Sequence, residues 1–262
     1  MAQEPVRYEV RDGVATLTLD DPPVNGYSHA MMRALDERIL AARFDDAVHV
    51  VVLTGAGDRF FCAGADVAGL AAMSPSFKYY FCLHANETLL RLEQTAKLTI
   101  AAINGHCVGG GLEVALACDL RIARRGAGKV GLPEVSLGVL PGTGGTQRLT
   151  RLLGVGRAMD LMVTGRTFDV DEAERLGVVT RVLEPDDFQA KAHEFARQFC
   201  PPNKAALAVG HIKRAVQSGG ALPLESGLAL ERELQARLFA SADCRAGLDA
   251  FLQKKAPAFT GR

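Results

Sequence analysis

The run VHVVVLT (residues 48–54) is almost wholly apolar, rich in β-branched side chains, and too short for an ordinary helix. A strand with one wet face alternates apolar and polar residues; a strand without that alternation is covered on both faces. Thr99–Ile103 reads as a second buried strand, and Leu120–Ala123 as a third. Helical patterns separate them, including a long one from about 77 to 95. Repeated strand–helix order with buried strands predicts an α/β architecture with layers on both sides of the sheet.

The remaining chain is punctuated clearly. Residues 6–10 and 14–19 alternate around Arg11-Asp12-Gly13 and predict a hairpin. The loop DDPPVNGYS follows, with Ser28 placed to cap a helix over 29–43. Gly55–Gly64 reads as a glycine-rich turn, residues 67–74 as a small apolar stretch, and Gly109–Gly111 as the entry to a helix ending near Asp119. Strand signals stop near residue 186. Helical stretches at 203–217, 222–240 and 242–255 follow, punctuated by Pro201-Pro202, Ser218-Gly219-Gly220 and Ser241. This divides the chain into an α/β core over 1–197 and a helical segment over 198–262. The late helices must bury an apolar face on the core or on another subunit.

Size and charge exclude several classes. For 262 residues, the scaling of folded surface gives roughly 11,000 Å² against roughly 40,000 Å² for the open chain, enough burial for a large core without staples. Thirty Lys and Arg balance thirty Asp and Glu, Trp is absent and aromatics are 6%. That leaves no electrostatic or stacking case for a nucleic acid partner, nor for an anionic membrane. No apolar run reaches the ~18–20 residues of a membrane span. The start, MAQEPVRYEV, is too polar for a signal peptide. Cys62, Cys82, Cys107, Cys118, Cys200 and Cys244 form no C-x-x-C pair and no metal-ligand spacing. They read as free thiols of a reducing compartment, hence a cytoplasmic protein.

The common nucleotide and hydrolase motifs are missing. No G-x-x-x-x-G-K-[ST] or G-x-S-x-G occurs, and GTGGTQ (142–147) has Gln147 where a dinucleotide loop needs its last glycine. His193-Glu194 lacks the second His of a zinc-protease helix.

Three segments do carry chemistry: FCAGAD (61–66), INGHCVGGGLEVALACD (103–119) and GLPEVSLGVLPGTGGTQRL (131–149). Each puts small residues beside an element boundary, where backbone N–H groups can face a ligand. Two such donors converging on a carbonyl oxygen make an oxyanion hole. Glu113 falls in the first turn after the glycines, and Glu134 follows Pro133 at the start of another turn. Two carboxylates at one cavity can hold a water, and unequal environments can keep one ionised and the other protonated. That is equipment for adding or removing water across a polarised double bond. Taken singly, each feature has a structural reading as well: glycines for tight packing, Glu113 for helix-terminus charge, Cys62 as a buried filler, His84 and His106 as wall residues.

Together, FCAGAD, AAINGHCVGGGLEVALACDLRIA, PEVSLGVLPGTGGTQRL and the ending FLQKKAPAFTGR resemble the enoyl-CoA hydratase/isomerase (crotonase) family, from about residue 6 to residue 262. Their order and spacing are far more specific than any one motif. The resemblance implies an α/β crotonase-like spiral of ββα units with a C-terminal α-helical trimerisation segment, assembled as a homotrimer or a homohexamer (a dimer of trimers). It implies an enoyl-CoA hydratase, a hydro-lyase that adds water syn to a 2-enoyl-CoA to give a 3-hydroxyacyl-CoA, or runs the reverse dehydration. The substrate is an acyl-CoA thioester, and no separate cofactor is implied because coenzyme A is part of that substrate.

Carried over by motif, the resemblance implies that Ala65 and Gly110 donate backbone N–H groups to the thioester carbonyl. Glu113 would activate the water added at C3, Glu134 would give the proton to C2, and Gly142 would hold the water. Ala63, Asp66 and Val67 would border the adenine and pantetheine, and Phe251 and Lys254 would approach coenzyme A from an adjoining subunit. The chain departs from the family pattern at Leu98, where Pro is common, at Gly26-Tyr27, where Ala-Leu is common, and at Ala68, where Lys is common. Phosphate contacts would then fall to Lys254, Arg59 or another residue. Residues 67–85, which match the acyl-pocket wall, are largely apolar. They favour an aliphatic or alicyclic chain unless Lys78 or His84 points inward. Three rivals remain open: a Δ3-Δ2-enoyl-CoA isomerase, which needs one principal base, or another crotonase-type reaction on an acyl-CoA; a non-catalytic RNA-binding homologue, against which the neutral charge and low aromatic content count; and a plain scaffold protein, against which the coincidence of both glutamates and both oxyanion positions counts.

Overall fold

The computed structural model describes residues 4–65 and 67–262. The chain opens with the expected hairpin, β1 (Val6–Arg11) and β2 (Val14–Leu19), then α1 (His29–Phe44), β3 (Val50–Gly55) and β4 (Phe60–Cys62). Next come α2 (Val67–Ala72), α3 (Pro75–Gln94), β5 (Leu98–Ile103), β6 (His106–Val108) and α4 (Gly110–Leu116). β7 (Leu120–Arg124), β8 (Val130–Gly131), a turn of 3-10 helix (Glu134–Leu137), α5 (Gly145–Leu153), α6 (Val155–Thr164) and α7 (Val170–Leu176) complete the site-bearing part. β9 (Arg181–Leu183), α8 (Phe188–Arg197), α9 (Ala206–Gly219), α10 (Leu224–Phe239) and α11 (Ala242–Leu252) follow.

Two sheets result. The larger has the order β1-β2-β3-β5-β7-β9, antiparallel only at the β1–β2 hairpin and parallel elsewhere. The smaller, β4-β6-β8, is parallel throughout. Each short strand follows a long one, so the chain repeats long strand, short strand, connection. This is the ββα spiral. The central strands β3 and β5 of the larger sheet are buried on both faces, as their sequence requires. Val51 and Leu53 of β3 and Ala101 and Ile103 of β5 enter one core with α1, α3 and α4. Val50, Val52, Ile100 and Ala102 enter a second core under Phe188, Ala192 and Phe195 of α8.

The sheets meet at tight crossings. A Cβ on Gly105 would overlap the Arg59 and Phe60 backbone, so the bend from β5 into β6 passes directly against the bend into β4. Asn104 ties the same corner. Its Oδ1 accepts from the Gly55 amide (3.0 Å), and its Nδ2 donates to the carbonyls of Gly55 (2.9 Å) and Gly57 (2.7 Å). Buried amides satisfied this fully are rigid fixtures, and this one sets where β6 and α4 begin.

The late helices are joined to the body by a buried lysine. Lys213 of α9 bonds Asp119 (2.9 Å) and the Lys97 carbonyl (3.0 Å), while Asp119 accepts from the Thr99 amide (2.7 Å). The folded chain exposes 13,586 Å², more than the roughly 11,000 Å² that scaling gives for a compact monomer of this mass. The excess has a visible source: Ile212, Val216, Leu224, Phe239, Phe251 and Leu252 stand exposed on α9, α10 and α11. Among the described residues, no helix is long and apolar enough to cross a membrane.

Candidate active site

The site is built on Gly109, Gly110 and Gly111, and each of the three is crowded by a different partner. Gly109 has φ +58°, and a Cβ there would lie 3.1 Å from Glu134 Oε1. A Cβ on Gly110 would lie 2.6 Å from Cγ of Tyr27, and one on Gly111 would overlap the Cys62 carbonyl. Only glycine lets a carboxylate, an aromatic ring and a neighbouring strand approach one helix start this closely. The Gly109 amide is used structurally, donating to the Gly131 carbonyl at 2.9 Å. The Gly110 amide, first in α4, has no acceptor among the described residues.

The loop after β4 completes the pair of donors. Gly64 packs against the Val108 carbonyl and the Gly110 amide, and its own carbonyl accepts from the Tyr27 amide at 2.9 Å. Asn25 Nδ2 donates to the carbonyls of Ala56 (3.1 Å) and Phe60 (2.8 Å), so the segment before α1 clasps this loop. Ala65 follows Gly64 beside Gly110, and its amide also lacks an acceptor among the described residues. The Ala63 amide is committed to the Val24 carbonyl (3.2 Å). Val67 is exposed at the start of α2. Asp66 lies outside the described residues.

The two glutamates occupy unlike surroundings. Glu113, one turn into α4, is 3% exposed. Its Oε1 accepts from the amides of Thr143 and Gly145, each at 2.8 Å, and its Oε2 accepts from the Thr143 hydroxyl. Every partner donates, so Glu113 is held as an acceptor. Glu134 opens the 3-10 turn, with its carboxyl over Gly109. Its Oε2 is buried with no hydrogen-bond partner. Burial pushes its pKa from 4.5 up to about 7; its own backbone amide opposes the rise, the Glu113 charge adds to it, and Lys78 opposes it. The pair therefore answers electrostatically, with one carboxylate gripped by donors and one carboxyl that titrates near neutrality.

Gly142 stands at the same corner. It precedes Thr143, a Cβ there would lie 3.3 Å from Cys82 Sγ, and its amide has no acceptor among the described residues. Lys78 lies with Nζ 5.3 Å from the Phe81 ring centroid, and its charge bears on Glu134. His84 turns instead to α1, with its ring 5.6 Å from His29 and Nε2 4.0 Å from Asp36. His106 is a wall residue: it packs on Phe60 and accepts from the Lys129 amide at 3.1 Å. Cys62 is fully buried and burial pushes its thiol up to about 12, which makes it inert filler. Among the described residues, no cluster of three or more His, Cys, Asp or Glu is placed to hold a metal ion.

Phe251 and Lys254 are not part of this constellation. They stand on the surface at the end of α11, Phe251 81% exposed and Lys254 with φ +54°. A cleft of about 900 Å³ between α3, α5 and α9 is lined by neither glutamate; it holds the part-buried Arg148–Glu93 ion pair (2.7 Å) and reaches Gly142 and Gly144. Thr143, Gly145 and Tyr27 are site residues that motif reading passes over. The signal for the first two is the small-residue turn Gly142–Gly145, which presents successive amides; the signal for Tyr27 is its departure from Leu.

Comparisons with known proteins show the family. The family model described as Enoyl-CoA hydratase/isomerase matches residues 9–262. A short-chain-enoyl-CoA hydratase of Clostridium acetobutylicum is 37% identical over 243 residues, 92% of each chain. A crotonyl-CoA hydratase of Syntrophomonas wolfei is 34% identical over 263 residues, 100% of each. The crystal structure of an enoyl-CoA hydratase from Geobacillus kaustophilus superposes with a TM-score of 0.96 at 42% identity, covering 100% of this chain and 98% of that one.

The carboxyl assignment is tested by infrared titration. Glu134 is expected to show a carboxyl band that disappears through about pH 7 and is absent in Glu134→Gln. Glu113→Gln removes a negative neighbour and is expected to move that transition to lower pH. A Glu134 band already lost by pH 5, or one unmoved in Glu113→Gln, would contradict the coupling.

Proposed function

Because the chain belongs to the enoyl-CoA hydratase/isomerase family, we propose that it hydrates a 2-enoyl-CoA to the 3-hydroxyacyl-CoA and catalyses the reverse dehydration. The observation that carries this reading is the pair of unlike carboxyl groups facing the Gly109–Gly110 corner. A hydratase needs one group to take a proton from water and another to give one to carbon. Glu113 is set as acceptor by three donors, and Glu134 keeps its proton up to about pH 7.

The steps follow from the placement. The amides of Ala65 and Gly110 receive the thioester oxygen. The water held by Glu113 and the Gly142 amide adds through oxygen to C3 and passes one proton to Glu113. The C2–C3 π pair moves toward the thioester, and the developing charge on its oxygen is met by the two amides; losing such a donor costs ~3–4 kcal/mol of transition-state stabilisation. Glu134 then delivers its proton to C2. In this reading both acids serve one face of the ligand, so addition is syn. The proton on Glu113 returns to Glu134 through solvent, and the pair is reset without a separate cofactor. An isomerase would leave Glu113 without work, whereas three donors are built to hold it.

Ala63 and Val67, with Asp66 between them, border the coenzyme in this reading. The exposed apolar faces of α9, α10 and α11, and the surface in excess of a compact monomer, support assembly into a homotrimer or a dimer of trimers. Phe251 and Lys254 would then approach coenzyme A bound by an adjoining subunit. Six unpaired cysteines support a cytoplasmic location.

With crotonyl-CoA the wild type is expected to form 3-hydroxybutyryl-CoA, and Glu113→Gln and Glu134→Gln each to lose about 10²–10⁴ in kcat while melting within a few degrees of wild type. Since kcat/KM reports the free enzyme, it is expected to fall as pH rises through about 7 and Glu134 loses its proton. Double-bond migration in a 3-enoyl-CoA with no hydration of crotonyl-CoA would establish the isomerase instead. Sedimentation equilibrium is expected to give three or six times 27.9 kDa; a monomer at micromolar concentration would refute the assembly.

A further inference from the structure

Tyr27 is clamped at the site yet has no assigned work. Its amide is tied to the Gly64 carbonyl (2.9 Å), one face of its ring covers Gly110, and Phe81 lies against it with ring centroids 5.7 Å apart. The side chain is 4% exposed, and its hydroxyl is buried without a hydrogen-bond partner. A tyrosine used only as filler over a glycine would bury its hydroxyl at a cost that phenylalanine avoids. Buried hydroxyls ordinarily find partners, so an orphan aimed into a ligand site points to a partner that arrives with the ligand.

The groups that bear on the phenol locate that partner. They are Glu113, Thr143, Cys62 and Cys82. Thr143, whose hydroxyl donates to Glu113, bears on the phenol as a hydrogen-bonding neighbour, but no bond of good geometry closes between the two hydroxyls. Cys82 Sγ is the atom beside Gly142. The hydroxyl thus shares its neighbours with Glu113 and Gly142, the corner at which the hydratase reading holds the reacting water. Both oxygens of Glu113 already accept from Thr143 and Gly145, and the Tyr27 proton is left over.

We propose that Tyr27 is a substrate-contacting residue whose hydroxyl donates a hydrogen bond to the oxygen at C3, as water before addition and as the 3-hydroxyl group after it. The assignment rests on the hydratase reading of the same cavity and deepens it: the enzyme recognises acyl thioesters bearing an oxygen at C3 by a side-chain donor. Burial pushes the phenol well above its usual value, and the Glu113 charge adds to the rise. Tyr27 thus remains a neutral O–H donor and takes no proton itself. The added oxygen gains a donor while losing its proton to Glu113, so no further reactant is required.

Two unreactive thioesters separate this role from simple packing. Acetoacetyl-CoA carries an oxygen at C3 and butyryl-CoA does not. Their dissociation constants are measured below neutral pH, by calorimetry, for wild type and Tyr27→Phe, which keeps the ring on Gly110. The variant is expected to bind acetoacetyl-CoA about fivefold to tenfold more weakly, to bind butyryl-CoA within about twofold of wild type, and to hydrate crotonyl-CoA with kcat lowered by a similar factor. Equal weakening toward both ligands would make Tyr27 a support for Gly110 and overturn the proposal; so would no change toward either. Wild-type failure to hydrate crotonyl-CoA would overturn the hydratase reading, while selective loss of acetoacetyl-CoA binding would still uphold the C3-oxygen contact.

Discussion

The structure depends on the close approach of three parts of the chain to one glycine triplet. Glu134, Tyr27 and Cys62 each press on a different member of Gly109–Gly111. The packing and the chemistry are the same fact seen twice. Without side chains at the helix start, the Gly110 amide stays bare and the carboxyl of Glu134 reaches over Gly109. Any side chain there would part the strands and cover the donor at once.

The scaffold behind that corner is rigid for reasons that can be named. β3 and β5 are buried on both faces, Gly105 leaves no slack where the two sheets cross, and Asn104 satisfies the exposed backbone of the turn. The start of α4 is thereby fixed relative to the loop carrying Ala65. Preorganised donors gain their catalytic worth from such fixity, because no reorganisation is needed when charge develops. The glutamates divide labour by environment: donors from the turn before α5 grip Glu113, while burial and the charge of Glu113 keep Glu134 protonated.

Much of this was legible in the sequence, for physical reasons that differ by element. The long strands announced themselves because burial on both faces removes polar alternation. The hairpin, α1 and α3 carried turns and caps; Ser28 accepts from the Met31 amide as its position suggests. The short strands Phe60–Cys62, His106–Val108 and Val130–Gly131 did not, since two or three residues hold no period. α5 to α7 were hidden by glycines at 144, 154, 165 and 177 that cap and separate them. Glu113 and Glu134 could be named from motifs, but Thr143 could not, because its tie to Glu113 spans thirty residues and exists only after folding. Lys78 lay within an apolar-looking stretch, and its charge bears on Glu134. Phe251 and Lys254, named from the C-terminal motif, stay at the surface of the single chain.

The central claim is that both carboxyl groups serve one face of a thioester held at the Gly109–Gly110 corner. Hydration of crotonyl-CoA in deuterium oxide, with the configuration at C2 read by NMR, tests it most directly. The account predicts a single deuterium at C2, on the same face as the new C3 hydroxyl. Deuterium on the opposite face, or scrambled between both positions at early times, would contradict it.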